Sequence, residues 1–139
     1  MRRLALLVVA VLALAACGGG GGGGKSSDSA QITSAYEKFF SGKTSLSDRV
    51  ALLQNGPQFK PVVQAFASNP LAKNVSASVS SVTLQGSNRA KVVYTVKLGG
   101  AALPQQTGTA VRENGTWKVG DASICKLVAL GGSTPSVCK

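Results

Sequence analysis

The chain contains no histidine, and only five Asp+Glu, three Cys, two Tyr and one Trp in 139 residues. Without histidine, the commonest general base at neutral pH and the commonest metal ligand are both missing. The acids (Asp28, Glu37, Asp48, Glu113 and Asp121) stand one by one, which leaves little for a carboxylate pair or a calcium cage. Three thiols without an imidazole make a poor zinc site and a poorly activated nucleophile. The apolar stretch Leu4 to Leu14 is eleven residues, too short for a mature helix to cross a bilayer. The expectation is therefore a protein with no cofactor and no metal, and its size leaves no room for a multidomain enzyme.

Positive charge and glycine are plentiful: 15 Lys+Arg give a net charge of +10, and there are 17 glycines. Both are unevenly placed. Met1-Arg2-Arg3 is a short positive n-region, Leu4–Leu14 an apolar h-region, and Leu14-Ala15-Ala16-Cys17 follows directly. Small residues at 15 and 16 suit a peptidase groove, the leucine three positions before Cys17 fills a pocket there, and the thiol accepts a diacylglyceryl group. The order is that of a bacterial lipobox, so cleavage between Ala16 and Cys17 and lipidation of Cys17 are expected. More than one acyl chain then holds the mature protein on the extracytoplasmic face of the membrane. Losing Arg2 and Arg3 leaves 13 basic against 5 acidic residues, a charge of +8.

Gly18–Gly24 and the polar residues that follow read as a flexible tether with nothing to bury. The stretch from Gly19 to Ser26 formally satisfies the G-x-x-x-x-G-K-[ST] pattern of a phosphate-binding loop. That loop works only between a buried strand and a helix N-terminus. Here a removed signal precedes it, so no nucleotide is expected. The two remaining cysteines, Cys125 and Cys138, are an even pair in an exported chain and are expected to form a structural disulfide. It would tie the Gly- and Pro-containing tail back to the domain.

The first half of the folded part is helical by period. Ile32, Ala35, Tyr36, Phe39 and Phe40 form one apolar stripe, with Asp28 or Ser29 as the expected cap and Gly42 as the stop. Ser45 with Asp48 approximates a capping box for a short second helix, which ends at Asn55-Gly56-Pro57. A third helix is expected to start near Pro61, because proline suits a first turn but not an interior. It carries Val62, Val63, Phe66 and Ala67.

After Asn69-Pro70 the period changes to two. Val75, Ala77 and Val79 alternate, then the phase slips at Ser80-Ser81, which predicts a β-bulge. Ala90, Val92, Tyr94, Val96 and Leu98 oppose Arg89, Lys91, Val93, Thr95 and Lys97, the pattern of a half-buried strand. Asn114-Gly115 predicts a two-residue hairpin pairing Glu113 with Thr116, Arg112 with Trp117 and Ala110 with Val119. Ala110 and Gly108 are then expected to leave room for the indole of Trp117. Ile124, Leu127, Val128 and Leu130 form a short apolar segment that docks on the core. The layout is a signal peptide over 1–16, a lipidated cysteine and tether over 17–29, one α+β domain over 30–131, and a tail over 132–139. Three N-terminal helices are expected to pack on one face of a four-stranded antiparallel sheet.

The segments Ala35–Phe40, Leu46–Gly56, Ala90–Tyr94 and Asn114–Val119, in this order, resemble the C-terminal domain of the mycobacterial low-molecular-weight secreted antigen and related actinobacterial lipoproteins. The resemblance spans about residues 30 to 130 and rests on hydrophobic spacing and the turn-Trp signature. It implies a cone of helices and curved sheet similar to nuclear-transport-factor-like and cystatin-like folds. It brings no agreed activity and no catalytic residues.

Two functional classes follow. One is a non-catalytic, lipid-anchored envelope domain that binds a ligand or partner at the membrane or wall surface. Arg89, Lys91, Lys97 and Lys118 share an outward sheet face that would attract anionic lipid, wall polymer or an envelope protein. No aromatic platform interleaves them, so nucleic acid is not expected. The alternative is a small isomerase- or dehydratase-like enzyme using Tyr94 and Tyr36 with Asp48 or Asp121.

Overall fold

The computed structural model describes residues 25–130, 132 and 134–139. The expected signal peptide, the Ala16–Cys17 junction and the glycine run lie outside the described residues. Helix α1 spans Lys25–Phe40, α2 Leu46–Ala51 and α3 Gly56–Ser68. A 3-10 turn over Pro70–Asn74 leads into β1 (Val75–Leu84), and β2 (Arg89–Leu98), β3 (Ala101–Ala102), β4 (Gln106–Glu113) and β5 (Thr116–Val119) follow. Helix α4 (Asp121–Leu130) and a short 3-10 turn over Ser136–Cys138 end the chain.

The class is α+β, with helices followed by a curled antiparallel sheet that forms a half-barrel. The strand order is β1-β2-β4-β5, and the two-residue β3 pairs with β2. The four expected strands thus gain a small fifth, because Gly99 and Gly100 fold the chain back on Lys97 and Leu98. The register of the last hairpin is the expected one, and Asn114 and Gly115 both take the positive φ that its turn requires. Ser80 is left unpaired between Val79 and Ser81, so the slip in alternation is a bulge, which bends the strand.

Helix α1 crosses the concave face and touches the two outermost strands, β1 and β5. Its apolar stripe and the inward row of β2 (Ala90, Val92, Tyr94, Val96) form the core with Phe59, Trp117 and Val119. The free edge of β5 is paired at its last residue: Leu53 bridges Val119 in parallel, and Val119 N–H donates to Leu52 O at 2.8 Å.

Four local expectations are corrected. Residues 25–29, expected in the tether, are already helical, so neither Asp28 nor Ser29 is a cap. Asp28 lies in the first turn and accepts from Trp117 Nε1 at 3.1 Å. That long-range contact extends the helix where local composition alone would not. The third helix begins at Gly56, with Pro57 in its first turn and Pro61 inside it. Pro61 lacks an N–H to offer the carbonyl four residues earlier, and helix packing against the core overrides that loss. The C-terminal apolar segment docks on the core as the helix α4 through Ile124, Leu127 and Val128, but Leu130 is 64 % exposed. Finally, the space above Gly108 is taken not by the indole but by Tyr36, Ser123 and Tyr94.

Candidate functional site

The two tyrosines do meet. Tyr36 from α1 and Tyr94 from β2 have ring centroids 4.9 Å apart, and Phe40 stacks on Tyr94 at 5.6 Å. Tyr36 is fully buried, and its hydroxyl donates to Thr109 O. Ser123 Oγ lies 3.0 Å from the same hydroxyl and accepts from Thr109 N–H at 2.8 Å. Gly108 makes this knot possible, since a Cβ there would sit 2.6 Å from both Ser123 Oγ and Tyr36 Oη. Burial pushes the Tyr36 phenol well above its ordinary value, the Ser123 contact offsets part of this, and Tyr94 adds to it. Burial alone takes Tyr94 up to about 12. Both are therefore neutral hydrogen-bonding groups at physiological pH.

The carboxylates stand elsewhere. Asp48 is exposed on α2, where its backbone N–H is received by Ser45 Oγ at 3.2 Å. Asp121 is the first residue of α4, and its carboxylate accepts from Asn55 Nδ2 at 2.8 Å. Neither is a hydrogen-bond partner of a tyrosine hydroxyl, so the four candidate catalytic residues are not brought together. Among the described residues no cluster of three or more His, Cys, Asp or Glu is placed to hold a metal.

Arg49 is a residue that sequence reasoning passed over. It is 2 % exposed, and among the described residues no carboxylate pairs with it. Its Nη2 donates to Ser41 O at 2.6 Å, just past the C-terminus of α1, and its guanidinium lies 5.5 Å from the Phe66 ring centroid. The negative end of the α1 dipole and the aromatic face together hold the buried cation. Burial still lowers its pKa, and Nε has no partner. A signal was present: Leu46, Arg49, Val50 and Leu53 share one helical face, so Arg49 interrupts an apolar stripe.

The basic residues are placed as the alternation implies. Arg89, Lys91 and Lys97 are exposed on the outer face of β2, and Lys118 is half-buried on the same face of β5. Arg89, Val111 and Lys118 lie side by side across three strands, which puts the Cα atoms of Arg89 and Lys118 about 10 Å apart. The neighbouring row on β1 is Ser76, Ser78, Ser81 and Thr83, all exposed hydroxyls. Glu113 is the one carboxylate among the strand residues of this face.

At the other end of the concave side a pocket of about 520 Å³ opens between α3 and α4. Phe39 and Phe40 from α1, Val62 and Phe66 from α3, and Leu127 and Val128 from α4 line it. All fourteen lining residues are apolar, and Tyr36, Tyr94, Asp48 and Asp121 are not among them. Pro135 of the tail completes the wall, held there by the disulfide between Cys125 and Cys138, whose Cα atoms are 5.5 Å apart. This bridge is the one expected from the cysteine count.

A family profile described as the low molecular weight antigen MTB12, C-terminal domain, matches residues 26–135. No curated protein matches the chain.

Proposed function

From the premise that the chain belongs to the family of the low molecular weight antigen MTB12 C-terminal domain, we propose a non-catalytic, lipid-anchored protein of the cell envelope. It is held at the extracytoplasmic face of the membrane through Cys17, and its domain engages anionic groups at that surface. The observation that supports this best is the bare outer sheet face. Every helix that packs on the sheet leaves Arg89, Lys91 and Lys97 exposed, with Lys118 beside them and a row of hydroxyls along β1. Cations so placed favour a negatively charged surface by about 1 kcal/mol each when close to it. Anionic lipid headgroups and anionic wall polymers both offer that charge. The enzyme alternative draws no support from the positions of Asp48 and Asp121, which are engaged away from Tyr36 and Tyr94.

The test uses the mature chain with Cys17→Ser, so that no lipid of its own contributes. It should bind vesicles rich in phosphatidylglycerol at low salt and leave them at high salt. Replacing Arg89, Lys91, Lys97 and Lys118 together by Gln should weaken binding about a hundredfold or more. Equal binding to phosphatidylcholine vesicles would refute the charged-face reading. In cells, the native chain should stay with membranes through a high-salt wash and carry a lipid-sized mass increment at Cys17; a native chain without that increment would refute the anchor.

A further inference from the structure

We propose that the pocket between α3 and α4 is a binding site for one aliphatic chain of a lipid. The first argument is chemical. All fourteen lining residues are apolar and come from α1, α3, β2, the loop after β3, α4 and the tail. An occupant therefore meets no hydrogen-bonding side chain along its buried length. A peptide segment would leave its N–H and C=O groups unpaired there, at a cost of about 1–3 kcal/mol each. A hydrocarbon chain has nothing to leave unpaired.

The second argument is size. A methylene group fills about the volume that a water molecule does, about 30 Å³. The 520 Å³ of the pocket thus holds about 17 such units, one long chain and not two. A single apolar side chain presented by a partner protein would leave most of it empty.

The third argument is that the walls are fixed before any ligand arrives. Phe66 is backed by the buried guanidinium of Arg49, and Pro135 is held by the Cys125–Cys138 bridge. A pre-formed apolar cavity saves the ordering cost that a collapsing one imposes on its ligand. The lining carries no cation for a head group, so the shared chemistry is the chain itself, from an unesterified fatty acid or from a single-chain phospholipid. The site is independent of the basic face, which lies on the opposite side of the sheet.

The experiment again takes the mature chain with Cys17→Ser and titrates it with cis-parinaric acid, a long-chain fatty acid that fluoresces in apolar surroundings. Saturated fatty acids of increasing length should displace the probe, each added methylene binding about fourfold tighter. The gain should level off near 17 carbons. Lysophosphatidylglycerol displacing as well as fatty acid would assign recognition to the chain alone, and displacement by only one of them would add a head-group preference. Val62→Trp and Val128→Trp each place an indole in the cavity from a half-buried position. Each should cut probe affinity at least about tenfold with circular dichroism and melting temperature retained. Leu71→Trp, at a residue 57 % exposed and outside the pocket, should bind like the parent. No fluorescence gain, no dependence on chain length, or full binding by both folded filled variants would overturn the proposal.

Discussion

Gly108→Ala should be among the most damaging single-methyl additions in the protein. The added Cβ would lie 2.6 Å from Ser123 Oγ, 2.6 Å from Tyr36 Oη and 3.0 Å from Tyr94 Cε1. None of these is a free side-chain end: Tyr36, Tyr94 and Ser123 are 0 %, 1 % and 2 % exposed. To make room, the chain must give up the Tyr36–Thr109 and Ser123–Tyr36 bonds, about 1 kcal/mol each. Forcing the methyl group into a filled core costs about 1–3 kcal/mol more. Restricting the unfolded chain offsets only about 0.4–1 kcal/mol. The net loss is about 2–4.6 kcal/mol, or about 8–18 °C in melting temperature at about 4 °C per kcal/mol for a domain of this size. Thermal unfolding followed by Trp117 fluorescence measures it. Tyr36→Phe removes one of the two clashing oxygens and both of these bonds, so it should cost about 2 kcal/mol alone and recover part of the loss in the double variant. A Gly108→Ala protein as stable as the parent, or strict additivity with Tyr36→Phe, would refute the packing argument.

Alkali offers a second check. Tyr36 and Tyr94 are held neutral in the fold at pH values where an unfolded phenol, with its ordinary value of 10.0, has ionised. The native state then binds more protons, so the contribution of these two phenols to stability is constant below pH 10 and falls above it, by about 1.4 kcal/mol per pH unit for each. Tyr94 contributes this slope up to about pH 12. Phenolate absorbance should rise together with the loss of circular dichroism; ionisation of either tyrosine in the folded protein near pH 10 would contradict the burial. Removing the disulfide as Cys125→Ser/Cys138→Ser opens a loop closed across a sequence separation of 13 and should cost about 3 kcal/mol in denaturant melts. The parent, unreduced, should show neither of these two thiols to an alkylating reagent.

Strand patterning was legible because it is local and periodic. The alternation in β2 names the buried row, and Asn114-Gly115 sets both the turn and the register of β4 with β5. The phase slip at Ser80 was legible for the same reason, and the cysteine pair because Cys125 and Cys138 are the two that remain once Cys17 is read as a lipobox residue. The helix starts were less so. Lys25 to Ser29 are polar and look like linker until Trp117, almost ninety positions away, supplies Asp28 with a partner. Pro61 marks a helix start by local rules, yet the packing of Phe59 and Val63 into the core carries α3 through it.

What the sequence alone determines here is which faces are apolar, where turns fall and which cysteines are left to pair. These properties reside in neighbours along the chain, where period and side-chain type suffice. The tertiary structure decides what each face meets. Arg49 is stable in the interior because the end of α1 and the ring of Phe66 come to it from other parts of the chain. Gly108 is required by a serine from α4 and a tyrosine from α1. The pocket exists because Val62, Val96 and Val128, each an ordinary core residue by its own pattern, are arranged around a space that none of them fills. Periodicity encodes burial, but a cavity is a property of the fit between surfaces distant in sequence.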